Sequence, residues 1–195
     1  MIGSNPFATR FTRPGAIEFL FPAGQSAESL VKRLRAEAWW GQIVGPHGSG
    51  KSTLLATLVS LLERAGRTVV SAAVTAGQPL PQIDLAALTA GVQLVIDGYE
   101  QYGWLARRTI QAAVRDRGAG LLVTTHADLG LPTLMETQPS VEVAQQVVRR
   151  LLPRGDSTIA DDDVRQAFAT HQSNLRETLF ALFDVYQARA RTREQ

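Results

Sequence analysis

Apolar residues are distributed in two ways along this chain. Up to about residue 139, short apolar runs alternate with longer amphipathic stretches, whereas beyond Pro139 only helical periodicity remains. The runs QIV (42–44), TVVSAAV (68–74), VQLVID (92–97) and GLLVTTH (120–126) predict strands. Between them, Ser52 to Ala65, closed by Gly66, and Trp104 to Arg117, again stopped by glycine, predict helices. A short helix over Asp84 to Thr89 breaks the Pro- and Gly-containing link before the third strand, and TLMET after Pro132 is a candidate fifth. Strands and helices alternating at this spacing require a parallel sheet with right-handed crossovers. The expected fold class is therefore α/β: three layers, α/β/α, around a mainly parallel five-stranded sheet, with a small C-terminal α-helical lid.

The lid follows from the change of texture. Ser140 to Leu152, Asp161 to His171 and Ser173 to Arg191 all read as helices with no strand between them, so a boundary near residue 139 divides a core (1–139) from a helical domain (140–195). DDD at 161–163 reads as a first helical turn favoured by the helix dipole, not as a metal site. Before the first strand, Ser26 can cap a helix from about Ala27 to Ala38 with Leu30, Val31 and Leu34 on its apolar face. Residues 1–24, rich in Pro, Gly and aromatics, read as an irregular arm lying on the core, and Trp39 and Trp40 as core residues.

Composition narrows the classes. With 195 residues, 45% of them hydrophobic, the chain can bury a real core. A net charge of +2 is too small a bias to argue for nucleic acid; the arginines of the last helix (Arg189, Arg191, Arg193) could engage DNA, but a solvated, frayed end is the favoured reading. The absence of cysteine excludes disulfides and thiolate metal sites. No apolar run approaches the roughly 18 residues of a membrane span, and the N-terminus has no signal-peptide pattern. A soluble, cytoplasmic protein is the expectation.

The candidate chemistry centres on Gly45 to Ser52, GPHGSGKS, which satisfies GxxxxGK[ST] between an apolar strand and an amphipathic helix. Glycines let successive backbone N–H groups turn inward and cradle phosphate oxygens at the positive end of a helix, where a Cβ would obstruct the anion. The loop residues expected around the phosphates are Gly45, Pro46, His47, Gly48, Ser49, Gly50, Lys51, Ser52 and Thr53, with His47 itself read as solvent-exposed. Lys51 supplies a point charge for the β- and γ-phosphates, and it is one of only two lysines, with Lys32, in an arginine-rich chain. Ser52 offers its hydroxyl to Mg²⁺.

A magnesium ion bridging phosphates also needs a carboxylate, and Asp97, at the end of LVID, is the candidate. Glu100, three residues on, is placed to act as base or orienter for an attacking water, the alternative being a loop glutamate in solvent. Thr124, Thr125 and His126 close the next apolar run. Thr125 or His126 is the candidate reporter of the γ-phosphate, the alternative being turn and cap residues.

Taken together, GPHGSGKST, LVIDGYE and LLVTTH resemble the additional-strand division of P-loop ATPases, over roughly residues 40–139. That resemblance implies an extra strand inserted between the two motif strands. DGYE and LLVTTH are similar to the STAND and NACHT style, with His126 where those families carry arginine. The helical C-terminus, DDDVRQAFATHQSNLRETLFAL, resembles the AAA+ lid of replication-initiator relatives, which implies a sensor arginine at Arg176. An ABC-type reading fails because no LSGGQ-like signature precedes the second motif and Gly98 stands where those enzymes carry glutamate.

The resemblance implies a Mg²⁺-dependent ATPase that couples ATP hydrolysis to conformational change and acts on or through a protein partner or a homo-oligomer. No arginine lies between Arg117 and Arg149, so the usual finger position is empty; Arg107, Arg108 or a partner would have to supply that charge. This leaves open a nucleotide-gated interaction module with little turnover. A small P-loop kinase is the third reading, weakened by the same lack of arginines.

Overall fold

The computed structural model describes residues 5–193, the side chain of Arg193 excepted; the first four residues of the N-terminal arm and the last two of the chain lie outside the described residues. Two compact units are present. One comprises Phe21–Gly45 and Leu54–Thr137, the other Met1–Leu20, Pro46–Thr53 and Gln138–Gln195.

The first unit holds the sheet. Its strands are β1 (Trp40–Val44), β2 (Thr68–Ala73), β3 (Val92–Asp97), β4 (Gly120–Thr125) and β5 (Thr133–Glu136), in the order β2-β3-β4-β1-β5. Every pairing is parallel. Strand β4 thus lies between β1 and β3, and the five-stranded parallel sheet with flanking helices is as the alternating pattern requires. Strands β3 and β4 read as continuous apolar runs because helices cover both their faces; Leu94, Ile96, Leu121, Leu122 and Val123 are all fully buried. Against them pack Ile110 and Val114 of α4 (Trp104–Asp116). Helix α2 (Ala27–Ala36) starts at Ser26, whose hydroxyl accepts from Ser29 N, and its Arg33 donates to the carbonyls of Thr133 and Leu134, fastening it to β5.

Two sequence expectations differ here. The link before β3 contains only a 3-10 turn, Leu85–Ala87, capped by Asp84, not a longer helix. Trp39 and Trp40 are half-buried instead of deep in the core. Each indole carries a guanidinium on its face, Arg67 over Trp39 at 4.8 Å and Arg115 over Trp40 at 4.9 Å. Stacked arginines cover aromatic surface that the start of β1 leaves outside the core.

Gln42, fully buried on β1, explains how the β4–β5 loop holds its shape. Its amide donates to Asp128 Oδ1, Leu131 O and Thr133 Oγ1, and its Oε1 accepts from Leu129 N. The polar side chain is affordable in the core because its donor and acceptor are both used.

The second unit is helical: α1 (Thr9–Thr12), α5 (Val141–Leu151), α6 (Asp161–Thr170) and α7 (Leu175–Arg193), together with the first turn of α3 (Lys51–Arg64). Its core joins Ala144, Val147 and Val148 of α5, Val164 and Phe168 of α6, and Leu179 and Leu182 of α7. Phe7 of the N-terminal arm is part of the same core, 1% exposed and edge-on to Tyr186 at 5.9 Å. Asn5 Nδ2 donates to Phe183 O, tying the arm to α7.

A fork of charge-assisted bonds closes this unit. Arg189 of α7 donates through Nη1 and Nη2 to the two oxygens of Asp163, at 2.5 and 2.8 Å, and also to Thr158 O. The Arg189 hydrogen bond holds the Asp163 carboxyl below its ordinary pKa. A carboxylate whose folded pKa is depressed contributes stability above its unfolded pKa, about 3.9, and loses it as pH falls through the folded value. Both side chains are partly exposed, so the contribution is modest, roughly 0.5–1 kcal/mol. Asp163→Asn should therefore lower the thermal midpoint slightly at neutral pH. Thermal melts between pH 7 and pH 3 check this: the difference from wild type should shrink below about pH 4.

Candidate functional site

In the helical unit, the glycine-rich loop behaves as its sequence demands. Gly48 (φ +67) and Gly50 (φ +94) adopt left-handed conformations that L side chains rarely reach. The space beside Gly48 is filled by Asn174, whose Oδ1 would lie 1.8 Å from a Cβ placed there. Beside Gly50 is the ring of Phe19, 3.3 Å from the corresponding position. Leu175 N at the start of α7 donates to Gly48 O at 3.2 Å, so the loop and this helix are bonded through their backbones.

Helix α3 begins at Lys51, directly after the glycines, and so directs its N-terminal N–H groups and positive dipole end toward the loop. The Lys51 ammonium donates to Pro46 O at 2.7 Å, and the residue is 8% exposed. A buried ammonium closing back on its own loop is already positioned and partly stripped of water. Ser49 is buried, Gly45, Ser52 and Thr53 are buried or half-buried, and Pro46 and His47 are exposed, His47 as its sequence position suggests. Two left-handed glycines, a helix N-terminus and a desolvated ammonium form a cradle whose donors suit phosphate oxygens.

In the sheet unit, the tips of β3 and β4 assemble the acidic residues. Asp97 ends β3. Thr124 Oγ1 donates to Asp97 Oδ1 at 2.5 Å and accepts from Gly98 N at 2.9 Å, so one hydroxyl fixes both the carboxylate and the turn behind it. Gly98 is left-handed (φ +81), and a Cβ there would meet Val74 O at 2.6 Å, so only glycine closes this turn. The chain then enters a 3-10 turn, Tyr99–Gln101, anchored by the fully buried Tyr99, whose hydroxyl donates to Arg107 O.

Glu100 lies on that turn and does not point freely into solvent. Its Oε1 is 3.2 Å from His126 Nδ1, the first residue past β4, and its Oε2 is buried with no hydrogen-bond partner among the described residues. Thr125 is fully buried, and its hydroxyl donates to Ala127 O, closing the turn after the strand; Thr125 O accepts from Gly45 N at 3.1 Å. Arg176 is exposed on the first turn of α7.

The tips of β3 and β4 therefore pair Asp97 with Thr124 and Glu100 with His126; the direct bond of Thr124 to Asp97 was not foreseen. The signal was present: in a strand, alternate residues share a face, so Thr124 and His126 share one and Thr125 the other. Asn174 was likewise missed, since contact with Gly48 depends on chain return over more than a hundred residues. Among the described residues, no three His, Cys, Asp or Glu side chains cluster closely enough to hold a metal by themselves, and no helix is long and apolar enough to cross a membrane.

Strand order β2-β3-β4-β1-β5, all parallel, with a glycine-rich loop between β1 and α3, is the fold of the P-loop NTPases. No family model matches the chain, and no curated protein matches it. Among solved structures it is similar to a variant of RuvB from Thermotoga maritima, 18% identical, with 85% of this chain and 67% of that chain covered and a TM-score of 0.50. A second RuvB variant from the same organism is 16% identical over 80% of this chain and 70% of that chain, with a TM-score of 0.49. At this identity the likeness concerns the fold.

Proposed function

We propose that this protein binds ATP with Mg²⁺ and hydrolyses it, coupling turnover to movement of an α-helical lid (140–195), in the manner of AAA+ and STAND ATPases acting on or through a protein partner or further copies of the chain. The observation that carries this reading is the loop GPHGSGKS, with Gly48 and Gly50 left-handed and Lys51 opening α3.

On this reading the loop N–H groups and Lys51 hold the triphosphate, and Ser52 and Asp97 hold the magnesium. Magnesium commonly takes one or two carboxylates and completes its shell with phosphate oxygens and water, which suits a chain offering Asp97 and a hydroxyl in place of a closed cage. When bound, the ion neutralises phosphate charge. Thr124 keeps the Asp97 carboxylate in one orientation. Glu100 orients the attacking water, and Arg176 serves as the lid arginine.

Titration calorimetry on the purified chain tests the binding step. MgATP should bind with a dissociation constant in the micromolar range, about −8 kcal/mol, and removal of magnesium should weaken it. Absence of heat with ATP, ADP and GTP would sink the reading. A nucleotide-gated module with little turnover is the second reading, favoured by the absence of any arginine between Arg117 and Arg149. Tight MgATP binding without measurable phosphate release would select it.

A further inference from the structure

We propose that His126 is the positioning residue for Glu100, holding its carboxylate in the orientation that water activation requires; this rests on the hydrolysis reading above. The geometry is specific to this chain. Glu100 does not follow Asp97 directly but sits on the 3-10 turn three residues later, where its backbone alone leaves the side chain several rotamers. His126 removes that freedom by engaging Oε1 at 3.2 Å, while Oε2 stays buried and makes no hydrogen bond among the described residues.

A buried carboxylate oxygen without a partner is costly, and native structures rarely retain one without a use. With Oε1 held by His126, Oε2 is the oxygen left to accept a water proton. In the step it serves, the water oxygen bonds to the γ-phosphorus as the bond from that phosphorus to the β–γ bridging oxygen breaks. The water's proton passes to Oε2 and from there to the released phosphate. The orientation is set from both ends: Tyr99 anchors the turn under Glu100, and β4, in register with β3 through Ile96 opposite Val123, brings His126 to it. This assigns His126 to the carboxylate and not to the γ-phosphate.

Steady-state ATP hydrolysis of wild type, Lys51→Ala, Glu100→Gln, His126→Ala and His126→Asn decides the matter. The asparagine amide nitrogen can stand close to where Nδ1 stands. Expected are a fall in kcat of roughly 10- to 100-fold for His126→Ala, within the range of a misplaced general base, with KM for ATP changed less than about twofold. His126→Asn should recover part of the loss, and His126→Ala should add little on top of Glu100→Gln. An unchanged or raised kcat in His126→Ala, or a raised KM at constant kcat, would overturn the positioning role alone, because turnover would still depend on Lys51. Wild-type turnover no greater than that of Lys51→Ala would overturn the hydrolysis reading and this role with it. Should His126→Ala not fold, as judged by thermal melting, His126→Asn against Glu100→Gln carries the test: asparagine activity no better than that of Glu100→Gln counts against the role.

Discussion

Lys51→Ala is expected to reduce ATP hydrolysis on the order of 10²- to 10³-fold, the range for losing one preorganised donor to a developing charge, while leaving the thermal midpoint almost unchanged. The two halves of that expectation have separate causes. In the protein alone, the Lys51 ammonium donates to Pro46 O, and the residue is nearly buried. Removing a charge that is largely withdrawn from water, together with its hydrogen bonding, costs little, within about 1 kcal/mol. Against a triphosphate, the same ammonium is a point charge in a site of reduced dielectric, where each interaction is worth far more than in water. Lys51→Arg should rescue poorly, because a broad planar guanidinium cannot replace a compact ammonium inside the loop. Phosphate release and a thermal melt on the same samples check both halves; a large loss of midpoint would mean that the lysine matters mainly to the fold.

Gly48→Ala is expected to damage both stability and nucleotide affinity, for two reasons that can be separated. The first is local: φ of +67 puts an alanine Cβ in the left-handed region, at a cost of roughly 1–2 kcal/mol. The second is a collision, since that Cβ would fall 1.8 Å from Asn174 Oδ1. Asn174 cannot simply swing away. Its Oδ1 accepts from Glu177 N at 3.2 Å and so caps α7, and losing a cap costs about 0.5–2 kcal/mol.

The residues before it are already held tightly, with Gln172 (φ +51) and Ser173 (φ +64) both left-handed without being glycine. The sum is roughly 1.5–4 kcal/mol. Adding Asn174→Gly should relieve the collision and leave only the backbone penalty, so the double variant should be less damaged than the two single costs added together. Denaturant unfolding of the four proteins in the cycle measures this coupling, and strict additivity would show that Asn174 does not obstruct an alanine at position 48.

The elements whose signals are local were legible in the chain. Apolar run length and the glycines at 66 and 118 set the strands and helices, and GPHGSGKS identified its own conformation, because only a left-handed, glycine-bearing turn can end a strand and start a helix in that way. The loop lysine, Asp97 and the helical C-terminal stretch were readable for the same reason. The tryptophan pair was not: whether an indole enters the core or lies beneath a guanidinium depends on Arg67 and Arg115, which are distant in sequence. Nor could the chain alone show that Phe7 belongs to the core of α5, α6 and α7, since an arm's packing partner leaves no periodicity behind.

By itself, then, the amino-acid sequence determined the parallel α/β class, the glycine-rich loop with its lysine, and the acidic end of β3, because each is written in neighbouring residues and in the period of their side chains. Tertiary structure alone decided that Thr124 orients Asp97, that His126 engages Glu100 and that Asn174 occupies the space beside Gly48. Those pairings are set by strand register and chain return, which bring together residues 26 to 126 positions apart, and no local pattern encodes a separation of that kind.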